Sequence, residues 1–245
     1  MSKQAQVSLD RFTEFMVSAR RSQTADELRE LLVDYFTSVG MAMMSYHHLP
    51  PFGAADRSPH ITVTAHGFPI DWVKRYELEF QSIDPIPRHA SQATHSFFWS
   101  DARAFNDLSE DERYYLDELE KESLGDGLAI PVFGPFGRGG YVGLGFGPGE
   151  PRPPLSSVNL FQSVCQFGHQ EFCRILFTRD PGVALSPREI EILRWVSQGK
   201  SNAVIAEILS ISAHTVDTHL RRTFEKLSVK DRTTAALRGS ALGLL

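Results

Sequence analysis

Trp72, Tyr76, Asp84 and Pro85 fall within fourteen residues of the chain, and Trp99 follows in the segment FFWS. Several aromatic rings around one carboxylate suit a small-molecule pocket, because apolar walls take ligand surface out of water and a few placed polar groups fix its orientation. A carboxylate in such surroundings needs a donor, and a ligand amide N–H would serve. The same residues also suit a plain aromatic core in which Asp84 opens a turn before Pro85, and composition alone leaves both readings open. No activated nucleophile or metal cluster accompanies Asp84, which argues against an enzyme. His47, His48, His89 and His95 show no zinc spacing with cysteine or carboxylate. The glycine-rich GPFGRGG at 134–140 lacks the lysine-serine ending of a phosphate loop and reads as a hairpin turn. No metal or cofactor is expected.

A second group lies near the C-terminus, in SNAVIAEILSISAHTVDTHLRRTFEKL at 201–227. Its last helical pattern turns Val216, Leu220, Phe224 and Leu227 inward and leaves His214, Asp217, Thr218, Arg221, Arg222 and Glu225 outside. A helix whose outer stripe keeps short and cationic side chains over three turns fits the DNA major groove, about 12 Å wide. Arg221 and Arg222 could then reach base edges or phosphates, and Ser212 and Thr215, near the helix N-terminus, could bond phosphate oxygens. An ordinary helical subdomain with solvated arginines would show the same periodicity.

The elements that must hold these residues are legible from caps and periods. Ser186, Pro187, Glu189 and Gly199 mark a capping box and a glycine stop around a helix with Ile190, Leu193 and Val196 on one side. Ser201 caps a short helix with Ile205, Ile208 and Leu209 apolar, and Asp231 caps a fourth over 232–242, ended by Gly243. Upstream, Thr24 and Glu27 form another capping box. The segments at 41–49, 59–67, 127–135 and 141–147 read as strands, 107–125 as a charged helix and 156–177 as a half-apolar helix. This mixture predicts an α+β chain: an N-terminal α/β/α sandwich around an antiparallel sheet, then an all-α four-helix helix-turn-helix domain. The boundaries fall at 1–177, a linker at 178–184, and 185–245.

Charge divides the same way. Residues 183–245 carry nine Lys or Arg against six Asp or Glu, and the remainder 16 against 24, so a mildly basic tail follows an acidic body. Cys165 and Cys173, about 12 Å apart along a helix axis, cannot pair and read as buried thiols. With no apolar run of about 20 residues and no secretory core at the start, the expectation is a cytoplasmic protein without membrane contact.

Over 185–245, LSPREIEIL, GKSNAVIAEILSIS, TVDTHLRRTFEKL, RTTAA and LGLL stand in the order and spacing of the LuxR-type (GerE-like) DNA-binding domain, which the segment resembles. The resemblance implies that Asp217, Thr218 and Arg221 face the groove. Lys200, Ser212, Thr215 and Arg222 join them as expected DNA contacts, while Glu189, Gly199, Val216, Leu220 and, in the upstream body, Gly127 are expected to be structural. Asp217 departs from the Lys or Arg often found there; it would accept from a cytosine amino group or pair with Arg221 at i+4. His219 reads as structural. The upstream region is similar to the autoinducer-binding domain of quorum-sensing regulators, carrying Trp72, Tyr76, Asp84, Pro85, Trp99 and Gly127. That resemblance implies an N-acyl homoserine lactone effector: Trp72 donating to the lactone carbonyl, Asp84 accepting from the amide, Tyr76 against the acyl chain and Trp99 against the lactone ring. Phe68, Ala129 and Gly143 stand where relatives often carry hydroxyl groups, which points to an atypical acyl group and, at Gly143, to a wider cavity that suits a bulky, aromatic or long one. The function implied is a homodimeric, ligand-responsive transcription regulator that binds DNA. The alternative keeps the DNA-binding tail with a body that senses a non-lactone molecule or acts without ligand.

Overall fold

The structure, a computed structural model, describes residues 3–54, 63–179 and 183–245. They form two compact units. One comprises Met1–Leu49, Ser58–Gly134 and Gly139–Leu176, and the other comprises Pro50–Arg57, Pro135–Arg138 and Phe177–Leu245.

The first unit is built on five strands: β1 (Met43–Leu49), β2 (Val63–His66), β3 (Phe97–Phe98), β4 (Gly127–Phe133) and β5 (Gly139–Gly145). They pair antiparallel in the order β2-β1-β5-β4-β3. Because side chains alternate along a strand, the sheet has two buried faces of different character. One presents Met44, Leu128, Ile130, Val132, Val142 and Leu144 to α1 (Lys3–Arg21), α2 (Ala25–Ser38) and α6 (Leu155–Arg179), which supply Phe15, Leu28, Phe36, Phe161, Val164 and Ile175. The other presents Met43, Ala129 and Tyr141 to α3 (Ile70–Arg75), α4 (Pro85–Ala90) and α5 (Glu110–Lys121), with Trp72, Phe80, Ile86, Trp99 and Tyr115 buried there. The result is the α/β/α sandwich read from the sequence.

Thr24 with Glu27 and Ser109 with Glu112 make capping boxes at the starts of α2 and α5. The expected strand at 59–67 is present as β2 over Val63–His66, while 59–62 lie outside the described residues. The expected linker likewise falls partly outside them, at 180–182. α1, α3 and α4 were not among the expected elements. Cys165 and Cys173 are both buried thiols, and the Cys173 Sγ lies 3.6 Å from His169 Nε2.

The second unit holds α7 (Pro187–Ser197), α8 (Asn202–Leu209), α9 (Ala213–Leu227) and α10 (Arg232–Ala241). Ser186, Ser201, Ser212 and Asp231 each accept from a backbone N–H three residues on, so every one of these helices starts at a side-chain cap. Ile192, Leu193, Val196, Ile205, Val216, Leu220, Leu227 and Ala235 form the core. Two expected core residues fall elsewhere: Ile190 is only half-buried and Ile208 is 43% exposed. At 100° per residue each lies about 60° outside the arc its helix buries. Those arcs are set by Glu189, Ile192, Leu193 and Val196 on α7, and by Ile205, Ala206 and the half-buried Leu209 on α8.

Candidate functional site

Between the second sheet face and α3–α5 lies a cavity of about 220 Å³. Register sets its sheet-borne floor. Ala65, Ser45, Gly143, Ala129 and Phe97 lie on one rung across all five strands, and Val63, His47, Tyr141 and Pro131 on the next on the same face; of these, Ala65, Ser45, His47 and Tyr141 line the cavity. Phe68, Trp72, Tyr76, Asp84, Trp99 and Tyr115 complete the wall with Ser45, His47 and Tyr141. Trp72, buried on α3, stacks obliquely on Phe80 at 5.2 Å, and its indole N–H has no hydrogen-bond partner among the described residues.

Asp84 does two things at once. Its Oδ1 accepts from the Ile86 N–H at 2.9 Å, which caps α4 with Pro85 at the first helical position; its Oδ2 accepts from the Tyr76 hydroxyl at 2.8 Å. Burial raises its carboxyl to a pKa of about 6, against the opposing pull of the Ile86 and Tyr76 bonds. Asp84 thus both opens the turn into α4 and lines the cavity. Tyr76 has more than the packing role expected of it, since its hydroxyl orients the carboxylate. Burial, followed by the nearby Asp84 charge, drives the phenols of Tyr76 and Tyr115 well up, so both remain protonated donors.

Pro85, Ala129 and Gly143 do not reach the cavity wall. A Cβ added at Gly143 would stand 2.6 Å from both the Ser45 Oγ and the Tyr141 hydroxyl. Glycine there makes room for those two hydroxyls, which fill the space that a wider cavity would have used. Trp99 donates its indole N–H to the Tyr141 oxygen at 3.1 Å. Gly127 explains the position of that ring: a Cβ would lie 2.4 Å from two of its atoms. Gly127→Ala should therefore displace Trp99, reducing thermal stability by about 1–3 kcal/mol and weakening ligand affinity; denaturant melts and ligand titration of the variant would show both.

In the second unit, α9 is fixed from beneath by Val216, Leu220, Thr223 and Leu227. Ser212, Asp217, Arg221 and Arg222 are exposed along its outer face, and Thr215 and Thr218 are half-exposed. Arg221 and Asp217 pair at 2.9 Å, so the acid holds the guanidinium in place on the outer stripe. Lys200 is half-buried just ahead of Ser201, the cap of α8. Gly199 takes φ +77°, a conformation that suits a residue without a side chain at a helix stop. The Nδ1 of His219 is buried and lacks a partner among the described residues.

Two family models match this chain: autoinducer binding domain over residues 24–172, and bacterial regulatory proteins, luxR family, over 183–238. The chain belongs to the LuxR family of quorum-sensing transcriptional regulators. Among curated relatives, the family member RpaR of Rhodopseudomonas palustris, an HTH-type quorum sensing-dependent transcriptional regulator, is 32% identical over 76% of each chain. The transcriptional activator AnoR of Acinetobacter nosocomialis is 27% identical over 90% of this chain and 92% of its own. The crystal structure of Escherichia coli SdiA has the same fold, with a TM-score of 0.73 and 23% identity over 95% of this chain and 97% of its own.

In this LuxR-family chain, Glu189 has a role beyond the cap. It is buried, takes the Ser186 N–H and Lys226 Nζ each at 2.7 Å, and so ties the start of α7 to the end of α9. Burial raises its pKa, but the Lys226 and Ser186 bonds outweigh it and the net shift is downward. A depressed carboxyl stabilises the fold above its ordinary value near 4.5 and loses that contribution as pH falls through the folded value. Glu189→Ala should thus destabilise the helical unit by about 1.5–3 kcal/mol at neutral pH, with the deficit shrinking below pH 4 in denaturant titrations. His47, Ser45, Tyr115 and Tyr141 were not among the expected site residues. Their strand and helix faces become visible only once pairing is known.

Proposed function

We propose that this regulator binds an N-acyl homoserine lactone in the cavity under α3–α5 and, as a homodimer, a palindromic DNA site through α9. The observation that carries the ligand reading is the pairing of an unengaged indole N–H at Trp72 with an oriented carboxylate at Asp84 in one aromatic-walled cavity. Trp72 donates to the lactone carbonyl, Asp84 accepts the amide N–H, Tyr76 lies along the acyl chain and Trp99 against the lactone ring. The cavity is small beside the 300–1,000 Å³ typical of ligand sites, which favours a compact acyl group over a long one. Ligand shifts the population toward one DNA-binding competence or the other, limited by its difference in affinity for the two states.

On the DNA side, α9 supplies Arg221 and Arg222 for base edges or phosphates, with Ser212, Thr215 and Lys200 on the backbone. Two copies of α9 on a palindrome would meet half-sites about 34 Å apart. The test is calorimetry of the full chain against a panel of N-acyl homoserine lactones. Saturable binding of short-chain members supports the reading, and binding of an unrelated compound with no lactone bound would overturn it.

A further inference from the structure

The sheet face turned away from Trp72 and Asp84 holds a second cavity, of about 180 Å³, under α2 and α6. Strand alternation separates the two: Ser45 and His47 line the first, Met44 and Tyr46 the second. Thr64, Tyr46 and Val142 form one rung across β2, β1 and β5, and Leu28 and Leu32 of α2 and Phe172 of α6 complete the wall. The space exists because α6 presents little bulk there. At Gly168 a Cβ would stand 3.1 Å from Leu32, so the glycine lets the two helices meet, and Cys165, one turn earlier, is too short to fill what they enclose. Packed cores leave few spaces larger than a water molecule, so one nearly as large as the site already described calls for an occupant. The polar groups of its lining are served within the protein or lie at its edge. The Tyr46 hydroxyl is 2.8 Å from His169 Nδ1 and 3.3 Å from His48 Nδ1. Asp26 and Arg29 pair loosely at 3.8 Å, with side chains 86% and 39% exposed.

We propose that this cavity is a second small-molecule site, selective for an uncharged, mostly apolar molecule the size of one aromatic ring or a fused pair. Volume sets the size: an apolar cavity of about 150 Å³ stays dry and takes up benzene. An ionised group is excluded, because the interior beyond the rim is hydrocarbon, rings and the sulfurs of Met44 and Cys165, and a charge buried there would lack a partner. A ring is favoured over a chain. Tyr46 and Phe172 stand edge to face at 5.2 Å and share the wall with the Met44 thioether, and both aromatic edges and thioether sulfur make good contacts with a further ring. The site is independent of the lactone reading, since none of its lining residues lines the first cavity.

The experiment labels the methionine methyls of the full chain with carbon-13 and titrates toluene and indole, with benzoate as the charged control, followed by nuclear magnetic resonance. Two neighbours in sequence report on the two faces: Met43 is buried with Trp99 on the face of the first cavity, and Met44 lines the second. Met43→Leu and Met44→Leu assign their signals. The expected result is a saturable shift of the Met44 signal with a midpoint on the order of 1 mM or below, a nearly unmoved Met43 signal, and no response to benzoate. Cys165→Leu, which extends a side chain into the space, should weaken the midpoint by about 10-fold or more; if that variant fails to fold, the two signals of the natural protein decide alone. No saturable shift at Met44, an equal shift at Met43, a matching response to benzoate, or an unchanged midpoint in folded Cys165→Leu would each overturn the site while leaving the lactone reading untouched.

Discussion

Asp84→Asn is expected to uncouple ligand response from stability, removing the first while improving the second. The carboxyl is held at about pH 6 mainly because burial penalises its charge. The sign follows from linkage: an acid whose folded pKa is raised binds its proton more tightly in the native state. Stability therefore declines as pH climbs from the unfolded value near 3.8 to about 6, and the penalty is complete above that. It amounts to at most about 2–3 kcal/mol. Asparagine caps a helix about as well as aspartate, and its amide can donate to the Tyr76 hydroxyl that formerly donated to the acid. The unliganded variant should therefore melt several degrees higher at pH 7–8, with little difference near pH 4.

Ligand binding should move the other way in the same variant. A charge-assisted bond from the lactone amide is lost, which weakens affinity by roughly 10- to 150-fold. In the natural protein the same chemistry predicts affinity that falls as pH drops below about 6, where the carboxyl protonates. Thermal melts across pH, with titrations of one lactone, check both halves. An unchanged lactone affinity in Asp84→Asn would remove the amide contact from the account.

Arg221→Ala is expected to lower the preference of the regulator for its own site over random duplex by about 1–3 kcal/mol if the guanidinium reads a base. A phosphate contact would instead weaken binding to all sequences alike and flatten the salt dependence. The pair with Asp217 sharpens this expectation. Both partners are exposed, so the bond contributes little to stability, but it restrains a flexible side chain over the outer stripe of α9. Asp217→Ala should therefore leave the melting temperature nearly unchanged while altering site preference, which competition binding against a randomised duplex pool would measure.

The helical unit was largely legible because its signals are local: four side-chain caps and an amphipathic stripe of period 3.6 mark α7–α10 within a few residues of themselves. Even so, Ile190 and Ile208 were misplaced, since a stripe read from apolar residues alone includes positions at the edge of the buried arc. The cavity was legible only in its helix-borne wall, where Trp72, Tyr76 and Asp84 follow closely in sequence. Its sheet-borne floor depends on which rung meets which. Ser45 and His47 are brought beside Gly143 and Tyr141 by pairing almost 100 residues away, and MMSYHHL alternates between two buried faces that composition cannot distinguish. For the same reason Gly143 read as added space, when the hydroxyls that occupy it belong to residues on two strands.

The central claim is that the cavity of the first unit, through Trp72 and Asp84, governs how the second unit binds DNA. The most direct measurement is fluorescence anisotropy of the full chain titrated onto duplexes selected from a random pool, with and without a saturating N-acyl homoserine lactone, in the natural protein and in Asp84→Asn. The account predicts a midpoint that shifts with ligand in the natural protein and stays fixed in the variant. Superimposable curves for the natural protein with and without every lactone tested would contradict it.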